Sequence, residues 1–262
     1  MLELSGIYKT YDANLPTRTE LYRGLDFSVG QGEFVSIVGS NGSGKTTLLN
    51  VIAGTVEQDA GSIRLLGRDV SRMKEYKRAR HIARVFQDPK TGTCPIMTVA
   101  ENLAMAARKG KPYGLTPALK RRHRSQYRDA LQTLGMGLED KLDVPAGQLS
   151  GGQRQALALL MATQSNPDLL LLDEHTAALD PRTSVHIMDL TQRIVTERHI
   201  TTLMVTHNLN FALGYGSRLV MLHAGKVLLD VRGEEKRAQS VEGLIEQFRC
   251  AQGVVSDTMV FA

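Results

Sequence analysis

Apolar and polar positions alternate along the chain so as to mark out short strands and helices in succession, the pattern of an α/β protein. Near the start, Leu2-Glu3-Leu4 and Ile7-Tyr8 read as a short strand. Leu25-Asp26-Phe27-Ser28-Val29 alternates with period two and stops at the turn signal Gly30-Gln31-Gly32. Residues 12–20, polar and carrying Pro16, read as a loop between them. The β-branched run Phe34-Val35-Ser36-Ile37-Val38 predicts a strand, and Thr47-Leu48-Leu49-Asn50-Val51-Ile52-Ala53 a helix. Ser62-Ile63-Arg64-Leu65-Leu66, closed by Gly67-Arg68, and Ile82-Ala83-Arg84-Val85-Phe86, closed by Gln87, predict two more strands.

From residue 99 the period becomes helical. Residues 99–106 predict a helix, 119–134 another after the linker Lys111-Pro112-Tyr113-Gly114, and 153–165 a third that Asn166-Pro167 stops. Together they read as an all-helical insertion over about 95–165. Leu169-Leu170-Leu171-Leu172 is apolar throughout, as a central strand of a parallel sheet is. A helix over 183–197 and a strand Thr201-Thr202-Leu203-Met204-Val205, ending at Thr206-His207, follow. Arg218-Leu219-Val220-Met221-Leu222 and Lys226-Val227-Leu228-Leu229-Asp230 form a hairpin through His223-Ala224-Gly225. This gives a main domain over 1–233 and a tail over 234–262, helical to about Arg249 and frayed beyond.

Composition narrows the class. With 262 residues, 42% hydrophobic and no Trp, the chain reads as an ordinary soluble α/β protein of one or two domains. Cys94 and Cys250, far apart, suggest neither a metal site nor a disulfide framework, so a reducing cytosol is expected. Met1-Leu2-Glu3-Leu4-Ser5 lacks the basic-then-apolar order of a secretory signal. The apolar runs at 156–162 and 169–172 fall far short of the roughly 18 residues of a membrane span. The net charge of +5 gathers between Arg108 and Arg128, densest at Lys120-Arg121-Arg122-His123-Arg124. A solvated helix face explains that cluster most simply, and a surface near anionic lipid headgroups is the functional alternative.

Three strings carry chemistry. Gly39-Ser40-Asn41-Gly42-Ser43-Gly44-Lys45-Thr46 fits G-x-x-x-x-G-K-[ST] between a strand and a helix. Glycines let backbone N–H groups turn inward onto phosphate oxygens, and the helix N-terminus adds a favourable dipole. Lys45 would reach the β- and γ-phosphates and the Thr46 hydroxyl would sit on Mg²⁺. The bland alternative, a glycine-rich turn that binds nothing, leaves the full match in context unexplained. Leu169-Leu170-Leu171-Leu172-Asp173-Glu174 is an apolar strand ending in two acids. Asp173 can hold Mg²⁺ through water beside Thr46, and Glu174 is placed to polarise an attacking water. Their alternative is a helix N-cap pair. Leu149-Ser150-Gly151-Gly152-Gln153-Arg154-Gln155 opens a helix with Ser and Gly, a second anion site on the same grounds.

In this order the three strings resemble the motifs of ATP-binding cassette (ABC) ATPases, over nearly the whole chain. The resemblance implies a P-loop NTPase core with a mixed sheet, an N-terminal antiparallel β subdomain and the all-helical insertion. It implies that Gln87 is the Q-loop glutamine on Mg²⁺ and water, that Ala178-Leu179-Asp180 is the D-loop, and that His207 is the switch histidine at the γ-phosphate. Tyr11 resembles the aromatic that stacks on adenine, although Tyr8 competes and an ordinary strand-edge role is open. The nucleotide would thus meet Tyr11, Gly39, Ser40, Asn41, Gly42, Ser43, Gly44, Lys45, Thr46, Thr47 and Asp180, and in a second chain Ser150, Gly151 and Gly152. Two ATP molecules would be sandwiched between two copies. Catalysis would be positioning and charge stabilisation by Mg²⁺, Lys45 and His207, with Glu174 as base.

His175 stands where the family usually has proline. The string Asp173-Glu174-His175-Thr176-Ala177-Ala178-Leu179-Asp180, with Leu160-Met161-Ala162-Thr163 before it and Met204-Val205-Thr206-His207-Asn208 after, resembles a bacterial importer branch. Its ATPases accompany a permease similar to branched-chain amino acid and sugar permeases, and a binding protein proposed for aromatic amino acids. A structural role in the turn suits His175 better than one as an additional ligand. The expectation is therefore the ATP- and Mg²⁺-dependent subunit of an importer of a small solute such as an amino acid. It would work at the inner face of the cell membrane with a second copy of itself, permease subunits and a substrate-binding protein, and no direct nucleic acid. The alternative is a soluble ABC-type ATPase acting on nucleic acid or the ribosome. Such proteins usually carry two cassettes or a long coiled coil, and neither pattern is present. A P-loop kinase would leave the Ser150 string unexplained.

Overall fold

A computed structural model describes residues 1–12, 18–110 and 121–252. The chain forms two compact units, Met1–Arg78 with Thr201–Ala262, and Ala79–Ile200. The first leg of unit one carries β1 (Leu2–Tyr11), β2 (Thr19–Val29), β3 (Phe34–Gly39), α1 (Lys45–Ala53), β4 (Ala60–Leu65), β5 (Arg68–Asp69) and α2 (Glu75–Arg78). Unit two carries β6 (Ile82–Val85), α3 (Val99–Ala106), α4 (Arg121–Gln132), α5 (Gly151–Thr163), β7 (Leu169–Asp173) and α6 (Pro181–Arg198). The return leg of unit one adds β8 (Thr201–Val205), α7 (Leu209–Gly214), β9 (Arg218–His223), β10 (Lys226–Arg232), α8 (Gly233–Arg237) and α9 (Val241–Gln252).

Unit one holds two sheets. Strand β1 lies between β2 and β4, antiparallel to both, with Leu2 opposite Val29 and Leu65. Alternation along these strands puts Leu2, Leu4, Ile7, Leu25, Phe27 and Ile63 inside. The other sheet is mixed: β3 pairs parallel with β8 and β9, and β10 turns back antiparallel on β9. Every residue of β3 is buried, which is why its run is unbroken by exposed polar positions. Helices α7 and α9 cover this sheet, with Leu209, Ala212, Leu244 and Phe248 packed on Val38, Leu219, Met221 and Val231. One guanidinium ties the sheets together. Arg218 on β9, 2% exposed, forks onto Asp230 at 2.6 Å and donates to the Ser28 carbonyl of β2 at 2.7 Å. A bidentate pair with its remaining donors satisfied is the form in which a buried charge is tolerated.

In unit two β6 and β7 run parallel, Ile82 opposite Leu169 and Val85 opposite Leu172. All of β7 is buried. Helix α5 packs on α3, α4 and α6. Gly152 permits the last contact, since a Cβ there would lie 2.3 Å from Thr183 Cγ2. Among the described residues, no strand lies between β6 and β7, as the expected helical insertion requires.

The differences from the sequence reading are local. The short strand expected at 2–8 runs on to Tyr11 as a ten-residue strand, which Gly6 (φ +57°) carries through a register shift with its N–H on Asp26 Oδ1 at 2.7 Å. The loop expected over 12–20 ends earlier, because β2 begins at Thr19; residues 13–17 lie outside the described residues. The tail is two helices rather than one: α8 stops at Arg237, and Ser240 Oγ accepts the Gly243 N–H ahead of α9. The linker at 111–114, residues 119–120 and the end of the tail from 253 are outside the described residues. No helix among the described residues is long and apolar enough to cross a membrane.

Candidate active site

The residues singled out in the sequence fall on both units. In unit one, the loop from Gly39 to Thr46 joins β3 to α1. Gly42 and Gly44 sit at φ +78° and +104°, which a side chain would resist. Gly39 is fixed by crowding instead: a Cβ would stand 2.4 Å from the Leu222 carbonyl oxygen. Lys45, 7% exposed, folds its Nζ back over the loop and donates to the carbonyls of Gly39 at 2.7 Å and Ser40 at 3.1 Å. Ser40 O also accepts the Ser43 N–H at 3.1 Å. Ser43 O accepts from Gly225 N at 3.2 Å, and Gly44 O from the Tyr22 hydroxyl at 2.5 Å. The Ser43 and Gly44 carbonyls are thus held from outside the loop, and in a trans chain the N–H that follows each points the opposite way. Ser43 Oγ is buried without a hydrogen-bond partner. A buried hydroxyl left so, in a loop of inward amides at a helix N-terminus, fits phosphate oxygens as its missing acceptors. Asn41 and Thr46 are exposed at the loop's mouth.

Tyr11 lies beside this loop. Its hydroxyl is 3.5 Å from Thr47 Oγ1, its ring is 38% exposed, and Lys9 Nζ sits 5.5 Å from the ring centroid. Tyr8 faces elsewhere, with its hydroxyl against Gly24. His207 is exposed between β8 and α7; Asn208 after it caps α7 by accepting the Phe211 N–H at 3.1 Å.

In unit two Asp173 closes β7 and Glu174 follows it. Asp173, 8% exposed, pairs through Oδ2 with Arg84 Nη2 at 2.6 Å, a partner supplied by the neighbouring strand β6. Glu174 adopts φ +46°, a left-handed conformation uncommon for a residue with a Cβ. His175 is buried, its Nε2 3.2 Å from Thr191 Oγ1, while that hydroxyl donates to the Ile187 carbonyl at 2.7 Å. The Thr proton being committed, His175 donates from Nε2. Burial pushes its pKa down to about 4. Through that bond it ties the turn to α6.

Asp180 caps α6, accepting the Thr183 N–H at 3.0 Å; that bonding holds its carboxyl below the usual range. Ser150 caps α5 in a reciprocal box, Gln153 N to Ser150 Oγ and Ser150 N to Gln153 Oε1, both 3.3 Å. Ser150 and Gly151 are exposed, so this helix end faces out of the unit. Gln87 is exposed just beyond β6, and Gln155 of α5 steadies the approach to it by donating to the Phe86 carbonyl at 3.4 Å.

Sequence reasoning missed Tyr22, Gly225 and Arg84. Tyr22 reads as one more apolar strand position and Gly225 as a hairpin glycine. Arg84, a charge inside an apolar strand, was the one readable signal among them.

The profile of the ABC transporter family matches residues 22–177. A relative in Clostridioides difficile, named a tyrosine transport ATP-binding protein, is 47% identical over 252 residues, 96% of this chain and 100% of its own. Among solved structures, a dimeric ATP-binding cassette in a post-hydrolysis state with ADP and Pi is 30% identical, with a TM-score of 0.75 over 88% of this chain and 98% of that one. The cbiO1 protein of Clostridium perfringens, part of the ABC transporter complex cbiONQ, is 27% identical, with a TM-score of 0.76 over 95% and 94%.

Proposed function

The chain belongs to the ABC transporter family as an ATP-binding subunit, an ATPase coupled to transport, and from that premise we propose that two copies close on two ATP molecules to drive a separate permease. The observation that carries the proposal is the pair of helix N-termini built for anions, α1 behind its glycine loop and α5 behind exposed Ser150 and Gly151. Two weak half-sites for one triphosphate cooperate when ATP bridges them, so binding closes the dimer and hydrolysis releases it. Lys45 and the loop amides hold the phosphates. Thr46, Gln87 and Asp173 would hold Mg²⁺. The metal, when bound, offsets phosphate charge. Glu174 orients and deprotonates the attacking water, and His207 meets the γ-phosphate. Tyr11, beside Thr47, suits adenine better than Tyr8, which lies against Gly24.

The cargo proposed is a small solute such as an amino acid, imported. Support comes from the full-length likeness to an ATPase named for tyrosine transport and from the importer-branch string around His175. The ATPase domain would be 1–233, with helical subdomain about 95–165 and tail 234–262. Ile96 and Met105, exposed in the helical region, would be available to meet the permease. Through that permease the chain would sit on the cytoplasmic side of the membrane, with a substrate-binding protein acting on the other side.

The dimer is tested with Glu174→Gln, which should keep ATP and elute as a two-fold dimer only when ATP is present. A variant that binds ATP and stays monomeric overturns the sandwich. Transport is tested by purifying the chain from its own membranes. A polytopic partner should accompany it, and ATPase stimulated by nucleic acid or ribosomes, with no membrane partner, overturns the transport reading.

A further inference from the structure

Unit one braces its phosphate loop with a hydroxyl that no phosphate-loop string contains. Tyr22 stands on β2, 1% exposed, and donates to the Gly44 carbonyl at 2.5 Å. The same oxygen accepts the first bond of α1, from Leu48 N at 2.8 Å, so both its lone pairs are used. Gly44 O and Lys45 N–H belong to one trans peptide plane and point in opposite directions. Fixing that oxygen on the β2 side therefore fixes the Lys45 N–H toward the mouth of the loop. The preceding plane is fixed in the same way, Ser43 O by Gly225 N at 3.2 Å, which aims the Gly44 N–H. The brace is tight: a Cβ on Gly44 would lie 2.8 Å from the Tyr22 oxygen, and one on Gly225 would lie 1.6 Å from the Leu21 carbonyl oxygen.

We propose that Tyr22 is a positioning residue for the nucleotide, its hydroxyl holding the 44–45 peptide plane so that the loop is preorganised for a polyphosphate. The inference rests on the ATP-binding reading above. Burial raises the Tyr22 pKa well above the ordinary phenol value, so the hydroxyl keeps its donor proton at any working pH. An amide already aimed at its phosphate spares the ordering cost of binding, and so Tyr22 acts on affinity.

The test is Tyr22→Phe, which removes one oxygen and keeps the ring. Calorimetric titration with MgADP should show affinity weakened about three- to ten-fold, the size of one net hydrogen bond. KM for MgATP should rise by the same factor with kcat within about two-fold, because an interaction made equally in the ground and transition states is lost. The melting temperature without nucleotide should fall by no more than about 4 °C. Unchanged MgADP affinity overturns the proposal. So does a fall in kcat that matches the fall in kcat/KM, or a collapse of the nucleotide-free fold, which would make Tyr22 purely structural. Tyr22→Leu, which also removes the ring, should weaken MgADP at least as much; affinity equal to wild type again overturns it. A wild-type chain that binds no nucleotide overturns the ATP reading instead, so the two failures are distinct.

Discussion

The phosphate loop of unit one and the acid turn of unit two are both strand-to-helix corners, yet they are held in different ways. The loop works through backbone, so it is fixed from behind by residues distant in sequence: Tyr22 on Gly44, Gly225 on Ser43, and the Leu222 carbonyl against Gly39. The acid turn works through side chains, and it is the side chains themselves that are anchored. Asp173 is held by the adjacent strand, His175 by α6, and Asp180 by the helix it caps. On the proposed function, binding would rest on many amides and turnover on a few carboxylates, so the two should be separable by mutation.

The largest expected effect tests that separation. Lys45→Ala removes the cation that crosses the loop onto Gly39 and Ser40, and should lower MgATP affinity at least about ten-fold. Glu174→Gln should leave MgATP affinity within about three-fold and lower steady-state ATPase by about 10²-fold or more, the range for a lost general base. Equilibrium binding and single-turnover hydrolysis read the two separately. The comparison breaks if Lys45→Ala binds normally, or if Glu174→Gln hydrolyses at a near-normal rate.

A stability difference of about 3 kcal/mol should distinguish the turn next. His175 is neutral in the fold, its pKa pushed from the ordinary 6.5 down to about 4. Between those values the unfolded chain binds a proton that the folded chain refuses. Its contribution is therefore present above pH 6.5 and lost as pH falls toward 4, amounting to about 3 kcal/mol in all. Urea unfolding at pH 7 and pH 4.5 should show most of that loss in wild type, beyond whatever the His175→Asn variant shows. Parallel losses in the two chains would mean that His175 is not the buried neutral strut it is here.

These corners also show what a sequence can disclose. Lys45, Asp173 and Glu174 could be proposed from sequence because each sits in a short string of fixed spacing. Tyr22 and Gly225 were not, because their partners on the loop are set by strand placement. The strands were legible where burial repeats over five residues or more, as in β7. Helices α2 and α7, of four and six residues, are too short for a 3.6-residue period to register. Strand β1 was read short of its end at Tyr11, and the positive φ of Gly6, which lets the strand continue past a register shift, has no signature in the alternation. The break between α8 and α9 contains no Gly or Pro, only Ala238, Gln239 and Ser240, so nothing in its composition announced it.

The smallest expected effect is the sharpest comparison, because both corners use the left-handed backbone region with opposite residue choices. Unit one places glycine there, Gly44 at φ +104°, where a Cβ would meet the Tyr22 hydroxyl at 2.8 Å. Unit two places a glutamate there, Glu174 at φ +46°, and accepts a strain of roughly 1–2 kcal/mol that glycine would relieve. Glycine in turn costs about 0.5–1 kcal/mol through the freedom of the unfolded chain. Glu174→Gly should therefore leave stability unchanged or raise it by up to about 1 kcal/mol, a melting shift of about 0–4 °C, while turnover is lost as in Glu174→Gln. A stabilised, inactive protein would show that the strain is kept for the carboxylate. A drop of more than about 1 kcal/mol would instead mean that packing of the Glu174 side chain holds the turn, and the contrast between the two corners would lose its functional meaning.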